Sequence, residues 1–181
     1  LNLGKKIGGS KIDDINVDKA LKMIDKYLFP HIGHDEAHRI LKAHYEKHGE
    51  SDVRQLYYLG LEYGNAGDIG CALKFHKRYI ELSKWDDERY LSCLKVAGHY
   101  QAIGDYDNAI QWALNASLIR EDWGEAYFSI GKSFYFMAQR GGPEEHRNWE
   151  KSVHFIQLGL KFKPTSTILF VNPMERPYDV H

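Results

Sequence analysis

Five of the ten histidines, His31, His34, His38, His44 and His48, fall within eighteen residues. On a helix, His34/His38 and His44/His48 share faces at i,i+4 and could share a metal ion. No cysteine joins them, and no glutamate completes an H-E-x-x-H frame in which a general base sits beside zinc. They read as solvated helix histidines, and no metal or cofactor is expected. Asp105-Tyr106-Asp107 has the D-x-D form of metal-dependent sugar transfer, but it follows Gly104 between two apolar stretches and reads as a helix-helix turn. Gly4 to Lys11 is rich in glycine and lysine, yet it lacks the phosphate-cradling spacing and no strand precedes it. The acids of Trp85-Asp86-Asp87-Glu88 stand just before an apolar run, where they cap a helix and favour its dipole. Hydroxyls and histidines are scattered, so no Ser-His-Asp or Cys-His order can be drawn. The expectation is a chain without a catalytic centre.

Composition bounds the positioning elements. Apolar residues at 43% and charged residues at 27% are the balance of a folded globular chain rather than a disordered one. Twenty-four basic side chains nearly cancel twenty-five acidic ones, so no net field draws nucleic acid or an anionic membrane. No run reaches the roughly 20 apolar residues of a membrane helix, and Leu1 to Lys11 lacks the apolar core of a secretory signal. Cys71 and Cys93 fall at apolar positions of helical patterns and read as buried thiols of a reducing compartment, so a cytoplasmic address is expected. Aromatic residues at 13%, twelve of them Tyr, predict helix-on-helix packing and an adhesive surface.

Residues 1–16, with Gly8-Gly9-Ser10 and no apolar period, read as a flexible arm or linker. Residues 17–49 read as a leading helical hairpin: Ala20, Leu21, Ile24 and Leu28 recur at helical spacing until Pro30. Asp35 then caps a second helix that presents Ala37, Ile40, Leu41, His44 and Tyr45 and stops at Gly49.

Beyond Gly49 the chain repeats itself. Leu56, Leu59, Gly60 and Tyr63 recur as Cys93, Val96, Ala97 and Tyr100, then as Tyr127, Ile130, Gly131 and Phe134. The order large-x-x-aliphatic-small-x-x-aromatic is what a helix needs where a neighbour crosses so closely that only Gly or Ala fits. Gly67-Asp68 and Gly104-Asp105 mark the turns, and Ala72 and Ala109 follow at matching distances in the second helices. The third unit carries an insertion near 139–147, with Gly141-Gly142-Pro143, which predicts a longer loop before Trp149, Ser152, Ile156 and Gly159 resume the pattern. Residues 165–181 read as a connector, with the apolar run Ile168 to Val171, and the start of a further, truncated repeat.

Over 50–164 this pattern resembles the tetratricopeptide repeat, in about three hairpins. The resemblance implies an all-α, right-handed superhelical stack of antiparallel helix hairpins, an α-solenoid. His76 and Ala113 depart from it where the family prefers an aromatic, as do Lys84 and Glu121 where it prefers Pro. A narrower resemblance rests on Arg54-Gln55-Leu56-Tyr57-Tyr58-Leu59-Gly60, on 83–88 and on Gly104-Asp105-Tyr106. These look like the repeats appended to some bacterial and viral family 2 glycosyltransferases, and no catalytic residue carries over from them.

Tandem hairpins curve so that their first helices line the inside. The faces free of packing residues place Arg54, Tyr57, Leu61 and Asn65 of the first unit in a binding groove. Leu94 and Gln101 join them from the second, and Phe128, Lys132 and Tyr135 from the third. Tyr57, Phe128 and Tyr135 are expected to be open to a partner. Tyr57, Leu61 and Glu125 stand where the family's peptide-carboxylate clamp needs polar amide or basic residues, so chaperone-tail binding is not implied. The expected function is a non-catalytic scaffold for a protein, a peptide or a tethered catalytic domain, with neither nucleic acid nor membrane as partner and with oligomeric state open. The alternatives are an acceptor-orienting piece of a glycosyltransferase and, on the histidines alone, a metal-binding helical domain.

Overall fold

A computed structural model describes residues 34–162, the side chains from His38 onward. The expected arm, the helix over Asp18 to Leu28 and the connector over 165–181 lie outside the described residues. Among the described residues seven helices follow one another: α1 His34–His48, α2 Val53–Asn65, α3 Ile69–Leu82, α4 Asp86–Ala102, α5 Tyr106–Ile119, α6 Glu125–Gln139 and α7 Glu145–Gly159. Among the described residues there is no strand. The architecture is the expected stack, with hairpins α2/α3, α4/α5 and α6/α7, and with α1 packed on the front of the first.

Turn chemistry fixes where each hairpin reverses. Gly67 and Gly104 sit at φ +80° and +78°, a left-handed conformation that costs glycine nothing. The next residue then caps the second helix: the Asp68 carboxylate accepts from Cys71 N–H at 2.9 Å, and that of Asp105 from Asn108 N–H at 3.2 Å. Gly49, at φ +62°, ends α1 as expected, whereas α1 begins at His34, one residue before the expected cap Asp35.

The small residues sit at the crossings, and their sizes are matched. A Cβ on Gly60 would stand 2.7 Å from the His76 imidazole, and one on Gly131 would stand 2.7 Å from Ile156 Cγ1. In the middle hairpin the corresponding residues are Ala97 and Ala113, both fully buried. Glycine therefore faces a large side chain, and alanine faces alanine. His76 and Ala113, the departures from the family pattern, are partners in this exchange of volume. The aromatic they lack lies one residue earlier: Phe75 stacks on Tyr63 at 5.3 Å, and Trp112 packs on the cluster of Ala97, Ala113 and Ile130.

The insertion in the third unit is mostly helix rather than the longer loop expected. α6 runs on to Gln139, five residues past Phe134, while α2 and α4 stop two residues past Tyr63 and Tyr100. α7 likewise gains about one turn before Ser152, so the 140–144 connection is only slightly longer than 66–68 or 103–105. The lengthened hairpin hooks onto its predecessor. Arg140 lies over the Tyr106 ring at 4.4 Å and donates to Gly104 C=O at 3.2 Å, while Phe136 stacks on Tyr106 at 5.8 Å.

Candidate functional site

The first helices of the hairpins, α2, α4 and α6, carry all nine groove residues, and the structure divides them. Tyr57 and Phe128 are only 9% exposed, which corrects the expectation of open aromatics. Both face the second helix of their own hairpin. Tyr57 packs on Tyr79 at 5.5 Å and on His76 at 5.8 Å, and the Phe128 ring fills the space where a Cβ on Gly159 would stand, 2.7 Å away. Leu61 and Leu94 are half-buried against the two neighbouring core clusters. Asn65, Lys132 and Tyr135 are exposed. Lys132 lies over the Phe136 ring at 5.8 Å, and the Tyr135 hydroxyl accepts from Gln139 Nε2 at 2.8 Å.

Arg54 and Gln101 tie one hairpin to the next. Gln101 Nε2 donates to Ser129 C=O and to Ser133 Oγ, both at 2.9 Å, which fixes α4 against α6. Arg54 Nε donates to Glu88 Oε1 at 3.1 Å, and its guanidinium lies over Trp85 at 5.2 Å and Tyr58 at 5.5 Å. Glu88 is fully buried and also accepts from the Tyr79 hydroxyl at 2.5 Å. Burial and that bond to the Glu88 carboxylate push the Tyr79 phenol well above its ordinary range. This buried carboxylate was missed in the sequence, where it reads as one of three acids in a first helical turn. Its neighbours are engaged as well: Asp86 pairs with Arg89, and Asp87 with Arg120, whose guanidinium covers Trp123 at 4.2 Å. Tyr90 holds the next junction, accepting from Ala126 N–H at 2.9 Å and donating to buried Glu125 at 3.4 Å.

The chemistry-bearing groups are distributed among packing roles. His44 Nδ1 lies 2.8 Å from Gln55 Oε1, and Gln55 Nε2 donates to Leu41 C=O at 2.7 Å, so this histidine seats α1 on α2. His48 stacks on His44 at 4.3 Å, and His38 meets the Tyr63 ring edge-on at 4.4 Å. His31 and the His34 side chain lie outside the described residues. Among the described residues no three His, Cys, Asp or Glu side chains converge on a point that could hold a metal ion. Asp105 is committed to its cap, with Asn108 Nδ2 also donating to it at 2.7 Å. Cys71 and Cys93 are free thiols, and burial pushes Cys93 up to about 12. His76 is the anomaly. It is fully buried with no hydrogen-bond partner at either ring nitrogen, and burial, with His99 and Lys95 nearby, lowers it to about 3.

Helical hairpins stacked in register, with a small residue where the two helices of each hairpin cross and glycine-aspartate turns in the first two, define a tetratricopeptide-like α-solenoid. Solved structures of MamA share this fold. One matches at a TM-score of 0.60 and 22% identity over 87% of this chain and 82% of that one. A second matches at 0.56 and 20% over 80% and 78%, and a third at 0.58 and 15% over 81% and 80%. No family model matches the chain, and no curated protein matches it. Among the described residues no helix is long and apolar enough to cross a membrane.

Proposed function

We propose that this chain is a non-catalytic scaffold whose inner face holds a peptide or a protein segment. One observation carries the reading: packing consumes the groups that could do chemistry, while Asn65, Lys132 and Tyr135 remain exposed on the first helices of the hairpins. Glu88, Asp105, Arg54 and Gln101 are spent on junctions and caps. An exposed cation and phenol on α6, with an exposed amide at the end of α2, suit a polar, extended segment, recognised by hydrogen bonds and by contact with aromatic rings. The similarity to MamA supports the architecture on which this rests.

The finer form of the proposal makes this the appended region of a glycosyltransferase, supported by the runs 54–60, 83–88 and 104–106. A reading frame that encodes a strand-helix alternating domain with its own D-x-D in the same polypeptide would favour it. Two unpaired thiols suit a reducing, cytoplasmic setting. The groove is tested by selecting binders from a displayed random-peptide library and titrating them against Lys132→Glu with Tyr135→Ala. The expected result is binding weakened by about tenfold or more at unchanged helicity. Unaltered affinity would place the binding surface elsewhere.

A further inference from the structure

Gly98 stands inside α4, and no neighbour requires it there. A Cβ on Gly60, Gly64 or Gly131 would lie 2.7 to 2.8 Å from a side chain of a facing helix, whereas one on Gly98 would meet no atom within 4 Å. Glycine at this place weakens the helix relative to alanine and serves no packing. What it leaves is room. Gly98 follows the crossing residue Ala97 as Leu61 follows Gly60 and Lys132 follows Gly131, so the three occupy equivalent places on the first helices. Between Leu61 on α2 and Lys132 on α6, α4 therefore presents bare backbone, and Ala102, one turn further on and exposed, adds only a methyl group.

The charge around this floor has one sign. The acids of α4 and α6 are all engaged: Asp86 pairs with Arg89, Asp87 with Arg120 and Glu88 with Arg54, while buried Glu125 accepts from Tyr90. Glu62, the acid of α2, stands where His99 and Ser133 do, and those two turn toward the preceding first helix, against Gly64 and Gln101. Lys95, one turn before Gly98, and Lys132 are both exposed, and neither has an ion-pair partner among the described residues.

We propose that the inner face takes an acidic, extended segment whose main chain lies on the floor at Gly98 and Ala102 and whose side-chain carboxylates meet Lys95 and Lys132. This rests on the scaffold reading above and gives the groove's occupant a charge. A helix surface without side chains lets a second main chain come close, and an extended chain sends successive side chains to opposite sides. A basic segment would set its charges against two ammonium groups that nothing neutralises, and complementary charge is what selects among segments of similar shape.

The experiment is anisotropy titration of the full chain with a short labelled peptide that alternates Glu with Ala, beside peptides carrying Gln or Lys in place of Glu. The Glu peptide is expected to bind about tenfold or more tighter than the Gln peptide, and to lose that margin as salt rises. Lys95→Glu, and Gly98→Leu, which fills the floor, should each weaken it by about tenfold or more. Because Gly98→Leu places a strong helix former at an open site, its melting temperature should not fall, and lost binding then reports the lost floor. Lys95→Glu with Lys132→Glu should reverse the preference, toward the Lys peptide. Should Gly98→Leu melt early, Lys95→Glu and the reversal carry the test. Equal binding of the three peptides overturns the acidic occupant, as does a Glu peptide indifferent to Lys95→Glu or to a folded Gly98→Leu. The scaffold reading fails or stands separately: library-selected peptides that respond to Lys132→Glu with Tyr135→Ala but carry no excess of Asp and Glu keep the groove and overturn its acidic occupant.

Discussion

Gly60→Ala tests the matched crossing sizes, and its magnitude can be worked from the α2/α3 contact. The new methyl carbon would stand 2.7 to 2.8 Å from three atoms of the His76 ring, about 1 Å inside normal carbon contact. The ring cannot retreat, because it is fully buried between Tyr57 and His99 and is fixed to α3 close to its backbone. Overpacking of this kind costs about 1–3 kcal/mol. Against it stands the helix preference of Ala over Gly, worth about 1 kcal/mol. The steric cost matches or exceeds the gain, and we expect a net loss of up to about 2 kcal/mol. In a His76→Ala background the same substitution recreates the Ala97/Ala113 arrangement, which is already closed and fully buried, so it should stabilise by about 1 kcal/mol. The coupling between the two sites is the steric cost itself, about 1–3 kcal/mol. Urea unfolding of the four proteins of the cycle, followed by helical circular dichroism, measures it. Additivity within about 0.5 kcal/mol would show that the imidazole does not lie against Gly60, and the size-matching argument would fall with it.

Acid should loosen the junction between the first two hairpins. His76 is lowered to about 3 from 6.5, so the unfolded chain takes up a proton that the folded chain refuses. Stability should fall by up to about 1.4 kcal/mol per pH unit as pH drops from 6.5 toward 3, with His99, also lowered by burial, adding to the slope. A pH series of denaturant midpoints on the wild type and His76→Leu checks this, since the variant should show a shallower slope. Glu88→Ala leaves the Tyr79 hydroxyl and Arg54 without their shared carboxylate. It should cost about 2 kcal/mol by thermal melting, below the value for a fully buried pair because Arg54 is partly solvated. Tyr57→Ala should cost about 3 kcal/mol as a core truncation, while Tyr135→Ala should change the melting temperature little.

The repeat register was legible because it depends on side-chain volume at positions where backbones approach, and volume can be read one residue at a time. Gly60, Ala97 and Gly131 announce their crossings without any knowledge of what crosses them. The groove was harder, because exposure is a property of pairs. Tyr57 and Phe128 stand at equivalent places and are equally buried, yet they are covered for opposite reasons: Tyr57 meets a large Tyr79, and Phe128 fills the gap left by Gly159. Neither residue's own type distinguishes a core aromatic from an open one. The partner one helix away decides it, and the signal lay in setting each first-helix aromatic beside the residue that closes its own hairpin.

The same limit explains Glu88. Its sequence neighbours Asp86 and Asp87 share its charge and its helical turn, and only the fold assigns the three to different surroundings. Asp86 faces solvent beside Arg89, Asp87 meets Arg120 from the end of the same hairpin, and Glu88 points back to Tyr79 and Arg54 of the preceding one. A first-turn glutamate three residues before buried Leu91 lies on the buried side of α4, and the helical period gives that much. What it cannot give is the hydroxyl and guanidinium that make burial of the charge tolerable, because both are contributed by the neighbouring hairpin. In a stack of repeats the polar groups that set the junctions are therefore the least legible residues, although the small residues that set the register are the most legible.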